Sequence, residues 1–406
     1  MLVNKIFDAL IEGKFCEKVI RKIDYILARI ARYFVSTNTA VINNKILFMT
    51  YQNDYVCNLK YIAEEIIRQK LPYDLVWVVK KNSINNVPEG VRKVEKGSIG
   101  LFKEAISAKI WIDNALNFAY EDIPKKKNQI LINTWHGSMG LKRIGQNDNK
   151  NEKWVKNALR CNRDTDYCIS DSDFETSVYR ETYWKDTPIL EYGHPRNDIL
   201  IKVTSQKYNK IKNKVCTKLK INKEKKIALY APTFRDNKNI ECYSIDYQNL
   251  IKALNFRFGG EWVILARHHF HLWNNNNATN SIENIENVIR ATDYDDMQEL
   301  MLIADIGITD YSSWICDFVL TGKPAFIFAT DLEEYNNERG LYYPLETTPF
   351  PIAKNNKELV NNIINFDLEI YTKKKEKFLK DRGCFEKGTA SKQVVDKIKE
   401  IIGDVN

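Results

Sequence analysis

The chain reads as an α/β protein in which two doubly wound parallel-sheet domains face a central cleft, preceded by basic amphipathic helices. Three observations predict this. Short apolar runs such as KILFMT (Lys45–Thr50), DLVWVVK (Asp74–Lys80) and KIALYA (Lys226–Ala231) alternate with segments of helical periodicity, the pattern of parallel strands joined by helical crossovers. The alternation runs once, is interrupted by a Lys-rich helical stretch over 199–224, and begins again. At 406 residues the chain is also long for a single hydrophobic core.

Taken in order, residues 5–35 place Ile20, Ile23, Ile26, Leu27 and Ile30 at helical spacing, with Lys18, Arg21, Lys22, Arg29 and Arg32 largely between them. Such a segment suits an anionic bilayer surface, and it equally suits packing on its own domain. We take 1–40 as this helical unit. Within 41–205, strands are expected at Lys45–Thr50, Asp74–Lys80, Lys109–Asp113, Gln129–Trp135, Tyr167–Ser170 and Pro188–Tyr192. Helices are expected over Asn58–Lys70 and Ser98–Ala108, and another from about Asp171–Phe174 onward. Within 206–385, strands are expected at Lys226–Ala231, Trp262–Ala266, Asn287–Ala291, Asp305–Thr309 and Ala325–Ala329, with helices over Met297–Ala304 and 356–366. A last helix, over 389–403, belongs to a closing unit, 386–406. The stretch ADIGITDYSSWICDFVLTGKP (Ala304–Pro324) is the organising one. A strand ends at Thr309-Asp310, Tyr311-Ser312-Ser313 opens a helix, and Gly322 and Pro324 stop it. Unpartnered N–H groups of a first helical turn favour anions, and Ser and Asp are also ordinary helix caps.

Composition narrows the functions. The chain is 44% hydrophobic and 28% charged, which suits globular packing. It has no run of 18 apolar residues, and its first residues, MLVNKIFDALIEGKF, lack the long apolar centre of a secretory signal, so none is expected. Eight cysteines lack metal-ligand spacing and read as thiols in a reducing compartment. The net charge of +8 fits a phosphorylated substrate or an anionic membrane. Nucleic acid is disfavoured because no basic stripe interleaves with aromatics. There is no GxxxxGK[ST] and no GxGxxG after the first strand, so neither a P-loop nor a dinucleotide cofactor is expected. Asp164-Thr165-Asp166 and Asp293-Tyr294-Asp295 have DxD spacing, but no metal is assigned to them, and no cofactor is expected.

All five histidines, His136, His194, His268, His269 and His271, follow expected strands. In doubly wound sheets that is the ligand-facing end. In the second half, Thr233 and Arg235, then Arg267 with the histidines beside it, then Asp310, Ser312 and Ser313 offer anion donors after successive strands, a set suited to a pyrophosphate. Asp317, one turn on, is within reach of a ribose hydroxyl. In the first half His136, followed by Gly137, can act as a base toward an incoming hydroxyl, and Lys142 and Arg143 can hold an acceptor phosphate.

The ordered set TWHG (Thr134–Gly137), Lys142, GHPRND (Gly193–Asp198), APTFR (Ala231–Arg235), RHH (Arg267–His269) and TDYSS (Thr309–Ser313) with Asp317 resembles the CDP-glycerol glycerophosphotransferase family, the TagF- and TagB-like enzymes of wall teichoic acid and capsule synthesis. NLKYI (Asn58–Ile62), Tyr335 and Arg339-Gly340 are similar too. The resemblance spans about 45–345. It implies a GT-B architecture with the acceptor on the first domain and the donor nucleotide on the second. It implies transfer of glycerol phosphate from CDP-glycerol, or a related CDP-polyol, to a lipid-linked or glycan hydroxyl at the cytoplasmic membrane face, releasing CMP. It places the family's functional histidines on His136 and His269. His194 stands where the family usually carries another residue and is given no catalytic role. A ribitol-phosphate transferase, a nucleotide-sugar glycosyltransferase and a membrane-bound module with an inactive cleft remain the alternatives.

Overall fold

The computed structural model describes residues 32–51, 53–81, 87–140, 143–144, 152–233, 235, 241–268, 285–338 and 340–403. Most of the basic N-terminal segment, Lys142, His269 and His271 therefore lie outside the described residues. Two all-parallel sheets form the frame. The first contains β1 (Ile42–Met49), β2 (Asp74–Val79), β3 (Val91–Glu95), β4 (Ala108–Asp113), β5 (Ile130–Asn133), β6 (Tyr167–Ile169) and β7 (Ile189–Leu190), ordered β3-β2-β1-β4-β5-β6-β7. The second contains β8 (Lys226–Tyr230), β9 (Trp262–Ala266), β10 (Val288–Arg290), β11 (Ile306–Thr309), β12 (Ala325–Phe328) and β13 (Ile352–Ala353), ordered β10-β9-β8-β11-β12-β13. Both are doubly wound, and in both the winding reverses between neighbouring strands: β1 and β4 in one, β8 and β11 in the other. A crevice opens beyond the carboxyl ends of such a pair.

Burial explains why these segments are strands. Ile46 to Met49 and Leu75 to Val79 are buried on both faces, as expected of sheets covered by helices on each side. Phe48 stacks on Trp77 at 5.2 Å, and Leu47 pairs in register with Trp111. β3 escaped sequence reading because only Val91 of VRKVE is buried. The helix opened by the YSS segment is shorter than expected. It spans Trp314–Phe318 and passes into a 3-10 turn over Val319–Thr321, which Gly322 closes at φ +73°.

The chain then crosses back. Helix Ala390–Ile402 follows the second sheet in sequence, yet Val394, Val395, Ile398 and Ile402 join the core of the first lobe with Ile46, Phe48 and Ile62. Its first N–H groups are capped from a distance. Asp198 accepts from Ala390 N at 2.9 Å and from Ser391 N at 2.8 Å, so a carboxylate completes the positive end of a helix nearly 200 positions away in sequence. In the other direction, Tyr61 and Met139 of the first lobe are buried in the core of the second.

Candidate active site

Both switch points carry expected site residues. At the first, β4 ends and Asn114 presents its carbonyl to His136 Nδ1 at 2.6 Å. A carbonyl only accepts, so Nδ1 carries the proton and the imidazole lone pair sits on Nε2. The ring is held between Tyr51, at 5.7 Å, and Trp135, at 4.6 Å. Trp135 lies at φ +49°, costly for a bulky residue. Its N–H donates to Asn133 Oδ1 at 2.8 Å and its carbonyl accepts from Asn58 Nδ2 at 3.3 Å. This turn is what lifts His136 into the cleft, where it is exposed.

At the second switch point Asp310 organises the loops. It accepts from Thr233 N at 2.8 Å and from Tyr311 N at 2.5 Å, and it pairs with Arg235 at 2.8 Å. Arg235 is buried. It is also held by Asp331 at 2.7 Å and the Thr233 carbonyl at 2.7 Å, and sits over the rings of Tyr311 and Tyr335. With two carboxylates around it, this guanidinium ties loops together instead of presenting charge to a diphosphate. Arg267 is different. Among the described residues its side chain donates only to the Tyr294 carbonyl, at 3.3 Å, and its Nε is buried with no hydrogen-bond partner; burial lowers its pKa. Among the described residues Thr233 Oγ1 is likewise buried with no hydrogen-bond partner. These two, with the half-buried Ser312 and Ser313, are the donors with capacity to spare for an anion. His268 is buried among Tyr230 and Tyr243, and burial lowers its pKa to about 4.

The lobes meet at this point. A cavity of about 120 Å³ is lined by His136 from one lobe and Ser313 from the other. Arg143 leans across, its N–H donating to the Gly340 carbonyl at 3.1 Å and its Nε to the Leu341 carbonyl at 3.3 Å. Asp317, expected near a ribose, is instead turned into the lobe interface. It is 3% exposed and accepts from Arg196 Nε at 2.8 Å and Asn197 Nδ2 at 3.0 Å. Arg196 also donates to the Gly137 carbonyl. One buried guanidinium thus joins the residue after His136 to the short helix after Ser313. Lys60 makes a parallel link to Asp296 and to Glu299 at 3.0 Å. Sequence reading had Arg196 inside GHPRND without a role, because its partner lies 121 positions away.

Beneath His136 lies a buried polar cluster that sequence reading also missed. Asp171, Glu175 and His194 offer three ligand-type atoms within 4.8 Å of one another. Asn58 decides how they are used. Its Oδ1 accepts from Arg196 N at 3.2 Å, so its amide nitrogen donates to the Thr134 carbonyl and to His194 Nδ1, each at 3.2 Å. His194 Nδ1 is then an acceptor, and Nε2–H donates to Glu175 Oε2 at 3.0 Å. The nitrogen nearest the carboxylates carries a proton, which fits a hydrogen-bonded network and not a metal centre. Ser138 donates to Asp171 at 2.6 Å. Burial first, and the neighbouring Glu175 second, push Asp171 up to about 7. Burial likewise raises Glu175 to about 7, and burial and then Arg196 lower His194 to about 4. Gly193, at φ +84°, passes so close to Glu386 that a Cβ would lie 2.5 Å from its Oε2.

Two doubly wound lobes that bring an oriented imidazole and a set of anion donors to one cleft have a GT-B-like architecture. Residues 31–400 match the family model "CDP-Glycerol:Poly(glycerophosphate) glycerophosphotransferase", and the chain belongs to that family. It is 34% identical over 370 residues to the teichoic acid poly(glycerol phosphate) polymerase of Staphylococcus epidermidis, covering 86% of this chain and 49% of that protein. To the corresponding polymerase of Bacillus spizizenii it is 31% identical, covering 87% of this chain and 91% of that protein. The chain thus spans about half the length of the first relative and nearly all of the second. The structure of the wall teichoic acid polymerase TagF soaked with CDPG superposes with a TM-score of 0.82 at 31% identity, over 96% of this chain and 98% of that one.

Two outcomes are expected. Arg196→Met leaves Asp317 buried without its cation and is expected to destabilise the fold by about 3–5 kcal/mol. Arg196→Met combined with Asp317→Leu should recover much of that in urea unfolding; equal losses in both would show that the pair is not what joins the lobes. The pH dependence follows from the cluster. Asp171 and Glu175 bind protons more tightly in the folded chain than in an unfolded one, so the stability they add is full below about pH 4 and is lost as pH rises through about 7. His194 acts oppositely, its contribution disappearing as pH falls from about 6.5 toward 4. Asp171→Asn, neutral and isosteric, should therefore flatten the fall in stability between about pH 4 and 7; an unchanged slope would exclude Asp171 as its source.

Proposed function

We propose that the protein transfers glycerol phosphate from CDP-glycerol to an acceptor hydroxyl in teichoic acid or capsule-type polymer synthesis, releasing CMP. The observation that carries this reading is the fixed tautomer of His136, with its lone pair on Nε2, opposite Ser313 across a shared cavity. Family membership and similarity to glycerol phosphate polymerases support the choice of donor.

In this reading an acceptor hydroxyl gives its proton to His136 Nε2 as its oxygen attacks the β-phosphorus of the donor. The phosphorus–oxygen bond to CMP breaks, and CMP departs with the electron pair. Arg267, Thr233, Ser312 and Ser313 hold the diphosphate and oppose the charge gathering on the leaving group, with His269 assigned alongside them from the family motif. Arg235 and Asp310 shape the loop that carries Thr233. Gly137 leaves space beside the base, and Lys142 and Arg143 serve the acceptor's phosphate. Such transfer relies chiefly on positioning and electrostatics.

A general base contributes about 100- to 10,000-fold. His136→Ala should lower CMP release by about that factor while CDP-glycerol binding, measured by calorimetry, persists. Loss of donor binding would remove the assigned role. CDP-ribitol and UDP-sugars offered in parallel separate the reading from its alternatives by the nucleotide released.

We place the protein at the cytoplasmic membrane face, held peripherally and acting on a lipid-linked or glycan acceptor. Among the described residues no helix is long and apolar enough to cross a membrane. Residues 32–38 form a helix on which Tyr33 and Phe34 are 62% and 61% exposed, continuing the basic apolar pattern of 5–35. Removing residues 1–35 should abolish sedimentation with anionic liposomes; undiminished sedimentation would locate the membrane contact elsewhere.

A further inference from the structure

His136 is exposed, and so is a ring stacked on it. Tyr51 is 63% exposed, its ring centroid lies 5.7 Å from that of His136, and the two planes are 19° apart. A ring so open to water keeps its place because the backbone holds it. The Thr50 carbonyl, just after β1, accepts from Asn53 N at 3.0 Å, and the Thr50 hydroxyl donates to the Asp54 carbonyl at 2.8 Å. The chain is thereby folded back around Tyr51. Tyr51 N in turn donates to Asn114 Oδ1 at 2.8 Å. Asn114 is the residue whose own carbonyl meets His136 Nδ1. One asparagine thus anchors both members of the stack, Tyr51 through its side chain and the imidazole through its main chain. The bond from Tyr51 comes from a backbone N–H, so any side chain at this position can keep it.

The face of an aromatic ring is the negative side of its quadrupole. A neutral imidazole gains little from that face. An imidazolium gains more, because a cation within about 6 Å of a ring centroid is attracted to it. Trp135, with its ring centroid 4.6 Å from that of His136 and its plane at 29°, adds a second face. Stacking also removes water, which works against the charged form. That opposing effect is small here, because His136 and Tyr51 both remain exposed. The attraction therefore prevails, and the stack favours the state that His136 enters on accepting a proton. Other titratable or charged groups lie around the same ring. Glu175, Tyr179 and Tyr342 line the cavity beside it, Arg196 donates to the neighbouring Gly137 carbonyl, and Tyr120, on helix Asn117–Glu121, is close enough to Tyr51 to feel its charge. None of them changes when Tyr51 is replaced, so their influence cancels between variants.

We propose that Tyr51 is a positioning residue for the transfer, its ring face holding the imidazole of His136 in place and stabilising the imidazolium that forms as the acceptor hydroxyl is deprotonated. The proposal rests on the transferase reading above and adds a residue to it. In the step itself the acceptor O–H bond breaks, the proton passes to His136 Nε2, and the Nδ1 proton stays on the Asn114 carbonyl. Tyr51 neither gives nor takes a proton. Its phenol oxygen is not required, and phenylalanine can do the same work.

The test reads the base first and turnover second. The imidazole Cε1–H signals of the unaltered protein, Tyr51→Phe and Tyr51→Leu are followed by NMR as pH is varied, with His136→Gln identifying the signal of His136. Attraction of a cation to an exposed ring face corresponds to about half a pKa unit. Tyr51→Leu should lower the pKa of His136 by about that amount, and Tyr51→Phe should leave it in place. If melting shows that Tyr51→Leu misfolds, Tyr51→Gln takes its place. CMP release from CDP-glycerol is then measured across the same pH range. Loss of the ring should move the acid limb of the profile downward by the same shift and slow turnover by about 2- to 3-fold, with CDP-glycerol affinity unchanged. A residue that merely supported the fold would change melting and leave the limb where it was. A His136 pKa that stays or rises without the ring, an equal fall in Tyr51→Phe, or an acid limb that does not follow the pKa would overturn the proposal. If the pKa moves as expected but even the unaltered protein releases no CMP, the transferase reading fails and the coupling of Tyr51 to His136 stands.

Discussion

The arrangement depends on one buried cation. Arg196 is 3% exposed, and its guanidinium reaches the carboxylate of Asp317 in the second lobe and the carbonyl of Gly137 in the first. Removing a guanidinium from water is costly unless its donors are met in good geometry. Here they are met only when the lobes stand as they do. The closeness of His136 and Ser313 is therefore a by-product of satisfying a charge behind them, and Asn197, Lys60 and the crossing helix reinforce it.

A second theme is the use of backbone carbonyls and one amide to settle proton positions. The Asn114 carbonyl admits only a donor, so it selects the tautomer of His136. The Thr134 and Trp135 carbonyls fix the orientation of Asn58, and Asn58 selects the opposite assignment in His194. Two histidines close to the same turn are thereby given different work: one has a basic nitrogen facing the cleft, and the other is a neutral donor inside a carboxylate cluster. Burial pushes the acids of that cluster toward neutrality, which limits the negative charge close to His136.

Much of the frame was legible because a parallel sheet leaves a strong trace. The strand at Trp262–Ala266 is found at its expected limits, and β1 gains Ile42–Asn44, which are exposed, and ends one residue earlier, at Met49. β13 has two residues, too few for any period to register. Helix Tyr247–Phe258 did carry a signal, with Tyr247, Leu250, Ile251 and Leu254 buried along one stripe, and it went unread. His136 could be found from its place after a strand. What could not be read were features set by distant partners: the tautomer imposed by Asn114, the engagement of Asp317 by Arg196, and the carboxylates that surround Arg235. Local pattern reports which residues end a strand, while the partner that occupies each side chain is decided by packing.

The return of helix Ala390–Ile402 to the first lobe bears on how the molecule is made. During synthesis, residues 42–190 leave the ribosome with the face built around Ile46, Phe48 and Ile62 still uncovered, and the helix that covers it emerges only after the whole second sheet. Domains ordinarily fold in the order in which they emerge. In this chain the earlier one must wait for its lid, with apolar surface open to chaperones, until the whole second sheet and the helix after it have been made.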